Sequence, residues 1–119
     1  MTIRRMKTYT GEQGYVYQYY FVGKRAGNDL EAGQNTEYIF DVTADRKTMF
    51  AVSVFLPTAV VDSWTRTHSR ALTDAEQYGA VKMRLFKAFD EIENMLTDGR
   101  RLSVDSGILE HVLGQLGVA

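Results

Sequence analysis

The sequence predicts an α+β fold in which an antiparallel four-stranded meander is followed by helices packed on one face of the sheet, forming a two-layer sandwich. Segments with two-residue alternation of apolar side chains occupy the first half of the chain, and segments with helical periodicity occupy the second half. Thr73 and Glu76 form an S/T-x-x-E capping box before the longest helical segment. Because 119 residues with 45% hydrophobic content can bury one core, we expect a single domain over residues 1–119.

The first predicted hairpin joins strands at residues 4–10 and 15–24 through a glycine-bracketed connection. Its second strand is unusual because five of the seven residues from 15 to 21 are aromatic. Alternation puts Tyr20 on one face with Val16, Gln18 and Val22. The other face carries a row of four aromatic side chains: Tyr15, Tyr17, Tyr19 and Phe21. Neither face is suited to open water.

A loop and a second hairpin are predicted next. Residues 23–35 contain three glycines and mixed charge, which indicates a loop. Strands follow at residues 36–43 and 47–56, and the second of these is apolar on both faces, which predicts a central position in the sheet. Pro57 ends that strand and is suited to the first position of a helix.

Three helices are predicted, at about residues 57–71, 74–98 and 106–116. The first carries Trp64 and His68 on its apolar side. At 100° per residue the long second helix carries one narrow apolar stripe: Tyr78, Val81, Leu85, Phe89, Ile92 and Leu96.

Single residues also predict where the long helix ends and where the final helix begins. Gly99 is expected to end the long helix in the left-handed conformation. Residues 100–104 then read as a short extended piece, and Asp105 or Ser106 is suited to cap the final helix.

Composition excludes several classes of site. The chain has no cysteine, which removes disulfides, thiolate nucleophiles and cysteine metal sites and fits a reducing compartment. It has no apolar run long enough to cross a bilayer, and its net charge is only -1. We therefore expect a soluble, cytoplasmic protein without membrane association.

The search for catalytic chemistry finds no complete set of groups. Ser63 and His68 are five residues apart on a predicted helix and point about 140° away from each other. His111 has no second histidine or cysteine at ligand spacing, and the glycines match no nucleotide-binding pattern. We therefore expect no catalytic, cofactor-binding or metal-binding residues, and a protein that is not an enzyme.

The aromatic strand is the strongest functional feature. Tyrosine is enriched where subunits meet, so we expect a small binding domain that forms a homodimer. The predicted interface residues are Tyr15, Tyr17, Tyr19, Tyr20 and Phe21.

Two alternatives remain open. Arg4, Arg5, Lys7, Lys24 and Arg25 flank the tyrosines, an arrangement that also suits stacking of single-stranded nucleic acid. The second alternative is a small hydrolase or ligand-binding protein with a pocket near Trp64 and His68.

Overall fold

The computed structural model describes residues 6–30 and 33–118. The strands are β1 (Lys7–Thr10), β2 (Val16–Asp29), β3 (Gly33–Thr43), β4 (Phe50–Pro57) and β5 (Arg101–Ser103). The helices are α1 (Thr58–His68), α2 (Asp74–Glu91), α3 (Met95–Asp98) and α4 (Ser106–Gln115). One sheet holds the strands in the order β1-β2-β3-β4-β5.

The α+β class and the antiparallel meander of the first four strands are confirmed. Side chains on one face of this sheet, such as Tyr38, Phe40 and Val52, join the buried residues of the helices in one hydrophobic cluster. The capping box is also present, since the Thr73 hydroxyl accepts from the Glu76 backbone N–H and the Glu76 carboxylate accepts from the Thr73 backbone N–H.

The meander is extended by β5, which pairs in parallel with β4. The Ser53 backbone N–H donates to the Arg100 carbonyl at 2.9 Å, and the Val104 N–H donates to the Phe55 carbonyl at 3.0 Å. The extended piece predicted at residues 100–104 therefore contains β5, an edge strand of a mixed five-stranded sheet.

The predicted loop at residues 23–35 is wrong, because the described part of this segment lies in the long β2–β3 hairpin. Lys24 pairs with Tyr38 and Asp29 pairs with Gly33, after a bulge between Phe21 and Gly23. Cross-strand pairing compensates for the low strand propensity of the glycines here. The predicted strand positions 4 and 5 lie outside the described residues.

The long helix is shorter than predicted. It ends at Glu91, and Ile92 is extended with φ -100 and ψ 114. The separate turn α3 begins after Asn94, whose side chain accepts from the Thr97 N–H. Leu96 therefore leaves the buried stripe and is 46% exposed. Gly99 has φ -114, so the expected left-handed conformation is wrong.

Candidate functional site

Two of the predicted interface tyrosines belong to the core. Tyr17 and Tyr19 are 3% and 4% exposed. Tyr17 stacks on Phe89 of α2, with ring centroids 4.2 Å apart. Phe21 lies on the same face and meets the ring of Tyr78 at 5.0 Å. α2 therefore covers Tyr17, Tyr19 and Phe21, and the first two are core residues rather than an accessible contact surface.

The remaining two tyrosines are accessible at different places. Tyr15 precedes β2 and is 47% exposed. Tyr20 is half-buried on the opposite face of β2, where its hydroxyl donates to Asp41 Oδ2 at 2.7 Å. Only Tyr20 of the predicted group thus lies on the sheet face that the helices leave uncovered.

We call this uncovered side of the sheet the open face. Strand alternation and register assign to it the apolar side chains Val16, Ile39, Ala51 and Phe55. Its polar members, by the same register, are Thr8, Thr10, Gln18, Tyr20, Arg25, Asp29, Asn35, Glu37, Asp41, Thr43, Ser53, Arg101 and Ser103.

One ion pair, Arg25 with Glu37, lies on the open face. Arg25 Nε donates to Glu37 Oε1 at 2.7 Å, and the Ser53 hydroxyl donates to Glu37 Oε2 at 2.6 Å. These hydrogen bonds lower the pKa of Glu37, the bond from Arg25 most strongly. The Arg101 guanidinium lies 4.6 Å from the centroid of the Phe55 ring. The open face therefore presents one ion pair and one arginine–ring contact beside apolar side chains.

Of the basic residues that flank the tyrosines in sequence, the described ones do not all lie on one face of the sheet. Arg25 is bound to Glu37 on the open face, whereas Lys24 Nζ lies 5.8 Å from the centroid of Tyr38, a core ring. Lys7 is close enough to Lys82 to help lower the Lys82 pKa, which burial lowers most. Arg4 and Arg5 lie outside the described residues.

His68 has a carboxylate partner that the sequence did not indicate. Its Nε2 lies 2.5 Å from Glu110 Oε1, 42 residues further along the chain. The imidazole also stacks on the Trp64 indole with centroids 4.2 Å apart. The two predicted residues, Trp64 and His68, are therefore in contact. The carboxylate that contacts His68 comes from α4, and no sequence signal could have identified it.

A cavity of about 200 Å³ lies between α1 and α4 beside this cluster. Its wall is formed by Val60, Ser63, Trp64, Thr67, Ser106, Leu109 and Glu110. Of the two residues predicted for a pocket, Trp64 lines this cavity, whereas His68 does not and reaches its wall only through Glu110.

A larger groove of about 550 Å³ lies between β1, α2 and α4. The sequence predicts no site at this place. Its wall includes Met83, Phe86 and Lys87. Asp90 on this wall accepts from the Tyr9 hydroxyl at 2.7 Å and from the Glu12 N–H at 2.9 Å. Burial and the Asp90 bond raise the pKa of Tyr9 to about 12. These bonds occupy both Asp90 oxygens and tie β1 to α2, so Asp90 is a structural residue.

Metal and membrane features are absent from the described ranges, residues 6–30 and 33–118. No group of three or more histidine, cysteine, aspartate or glutamate side chains there could hold a metal ion. No helix in the same ranges is long and apolar enough to cross a membrane.

Comparison with known proteins finds no relative of this chain. No family model, curated protein or solved structure matches the chain.

Proposed function

We propose that this chain is a non-enzymatic binding domain that acts as a homodimer, and that the open face of the sheet is the contact between the copies. The observation that carries the proposal is an uncovered sheet face that holds Ile39, Ala51 and Phe55 beside the ion pair of Arg25 with Glu37. Ile39 lies near the middle of the central strand β3, and Phe55 lies on the neighbouring strand β4. This arrangement suits a second layer of protein.

Internal pairing reduces the free energy that covering the face requires. An unpaired polar group that loses water without a new partner costs about 1–3 kcal/mol. Here Tyr20 and Asp41 already share a hydrogen bond, and Glu37 accepts from both Arg25 and Ser53. A partner can therefore displace water from the Glu37 and Asp41 carboxylates at reduced cost, whereas the other Arg25 N–H groups need acceptors from the second copy.

Charge and area both suit a second copy. Where β3 pairs with β4, the open face carries no net charge, which suits association of two copies about a two-fold axis; its two arginines and two carboxylates are Arg25, Arg101, Glu37 and Asp41. Because β1 has four residues and β5 has three, beside the eight residue pairs of β3 and β4, the open face covers roughly 500 Å² per copy. A total of about 1,000 Å² places this contact among weak, transient interfaces, so we expect a Kd in the micromolar range, about 1–10 μM.

The alternative of single-stranded nucleic acid has less support. Stacking requires accessible rings, and Tyr17 and Tyr19 are buried under α2. A balanced face also lacks the excess positive charge that attracts phosphates. We also propose that the protein is cytoplasmic, and the absence of cysteine supports this location.

The test is sedimentation velocity over about 0.5–100 μM, a range chosen to bracket the expected Kd. Ile39→Lys places a charge at the centre of the contact, and the carboxylates of Glu37 and Asp41 on the same strand face would accommodate it in the monomer. We expect this variant to weaken the dimer more than about 100-fold, since two like charges would face each other.

Two exposed positions provide matched controls. Val16 on the open face and Leu116 beyond α4 are 43% and 44% exposed. Val16→Lys should weaken the dimer moderately because it lies near the edge of the contact, and Leu116→Lys should leave it unchanged. A monomer at 100 μM, or a dimer insensitive to Ile39→Lys, would refute the proposal, and RNA-dependent sedimentation would favour the nucleic-acid alternative.

A further inference from the structure

Lys82 of α2 has aromatic side chains around its amine. Its Nζ lies 5.7 Å from the ring centroid of Tyr78, 5.8 Å from that of Phe86 and 6.0 Å from that of Tyr19. Tyr78 and Phe86 come one helical turn before and after Lys82, so all three lie on one side of α2. The Lys82 side chain is half-buried, and its Nζ is not among the fully buried unpaired nitrogen atoms of residues 6–30 and 33–118, so small solutes can reach it.

No carboxylate forms an ion pair with this amine in the described part of the chain. Ion pairs along a helix join residues three or four apart. The nearest acidic residues along α2 are Glu76 and Asp90, six and eight positions away, and both already accept hydrogen bonds from other side chains. Lys87 of the same helix is different, because its Nζ lies 3.2 Å from Glu91 Oε1.

A second amine lies beside Lys82. Lys7 pairs with Tyr19 across β1 and β2, so both side chains lie on the helix side of the sheet. Burial lowers the pKa of Lys82 most, and the charge of Lys7 lowers it further. The ring faces also attract an ammonium group, but their centroids lie near the outer limit of about 6 Å for that contact. Apolar surroundings and a neighbouring cation are the two conditions that make a lysine amine nucleophilic.

We propose that Lys82 captures small carbonyl acids as an imine, while the Lys7 ammonium group holds their carboxylate. The Lys82 nitrogen attacks the carbonyl carbon with its lone pair, and one amine proton moves to the carbonyl oxygen. That hydroxyl then leaves with the second amine proton as water, and a C=N bond replaces the C=O bond. Two amines without a described carboxylate partner suit an anionic carbonyl compound better than a neutral one. This site is separate from the open face, which lies on the other side of the sheet.

The test traps the imine in the whole chain with glyoxylate, a small aldehyde acid, and sodium cyanoborohydride at neutral pH. Peptide mass spectrometry gives the rate of carboxymethylation at each lysine. We expect Lys82 to react at least about tenfold faster than Lys47, an exposed lysine between β3 and β4, or than the ion-paired Lys87. With glycolaldehyde, which lacks the carboxylate, the preference for Lys82 over Lys47 should shrink to about threefold.

Matched variants and a pH series isolate the cause. Lys7→Gln removes the second cation from an exposed strand position and should slow the capture of glyoxylate at Lys82 about fivefold. Lys47→Gln makes the same change in charge outside this cluster and should leave the Lys82 rate unchanged. The ratio of the Lys82 rate to the Lys47 rate should fall toward one as pH rises to about 11, where every lysine loses its proton.

A Lys82 rate at or below that of Lys47 at neutral pH would overturn the proposal, because the rings would then hold the ammonium group instead of activating the amine. An equal preference for Lys82 with glyoxylate and with glycolaldehyde, or an unchanged rate in Lys7→Gln, would overturn the role of Lys7. The comparison of lysines within the wild-type chain decides the proposal even if Lys7→Gln fails to fold.

Discussion

Phe89→Ala is expected to destabilise the protein by about 3–5 kcal/mol. Phe89 is 2% exposed and stacks on Tyr17 at 4.2 Å, with the ring of Tyr9 at 5.7 Å. Removing the ring loses about 2–3 kcal/mol of transfer free energy, and a cavity of about 100 Å³ that does not collapse adds about 2 kcal/mol. This loss is a large part of the 5–15 kcal/mol that typically stabilises a domain.

The assay is reversible urea denaturation followed by circular dichroism, at one protein concentration because self-association adds stability. Leu96→Ala is the matched control, since both residues share one predicted stripe but Leu96 is 46% exposed in the structure. Leu96→Ala should cost less than about 1 kcal/mol. A loss below about 1 kcal/mol for Phe89→Ala, or equal losses for both variants, would show that the helical face is assigned wrongly.

Two further predictions address the aromatic row and the helix cap. Changing Tyr17 and Tyr19 together to Ser should unfold the monomer, seen as a collapsed circular dichroism signal; a folded monomeric variant would mean that these rings face a partner. Hydrogen bonds from Arg70 and the Thr73 N–H lower the pKa of Glu76 from 4.5 to about 2, so the stabilisation by its carboxylate is present above pH 4.5 and is lost as pH falls toward 2. The melting temperature of Glu76→Gln should therefore lie below wild type at pH 6 and approach it near pH 2; a difference that persists at pH 2 would contradict this cause.

Local sequence signals predicted the parts of the fold that depend on neighbouring residues. Alternation identified the buried face of β3, where Tyr38, Phe40 and Val42 are 1%, 0% and 0% exposed. The capping box placed the start of α2 at the right residue, because its two hydrogen bonds join positions three apart. These features need no distant partner.

Contacts between distant residues set the parts that the sequence did not predict. The strand from Tyr15 to Phe21 is aromatic on both sides of the alternation, so periodicity could not choose which side α2 would cover. The glycines of residues 23–35 suggested a loop, whereas cross-strand pairs such as Arg25 with Glu37 hold a hairpin there.

The candidate sites depended on distant residues still more strongly. His68 and Trp64 were named from one helix, but the carboxylate that contacts His68 is that of Glu110 from α4, 42 residues from His68. The open face likewise exists only after β2, β3, β4 and β5 are assembled side by side. No spacing along the chain encodes either arrangement.

The open face as the dimer contact is tested most directly by distances between spin labels on two copies. Because the chain has no cysteine, Ala51→Cys and Leu116→Cys each give a single label, on the open face and beyond α4 respectively. Stacked sheets lie about 10 Å apart, and a helix on each outer side adds roughly 10 Å per copy. Double electron–electron resonance on the dimer should give about 15–25 Å between Ala51 labels and more than about 30 Å between Leu116 labels. A shorter distance between the Leu116 labels than between the Ala51 labels would contradict the account.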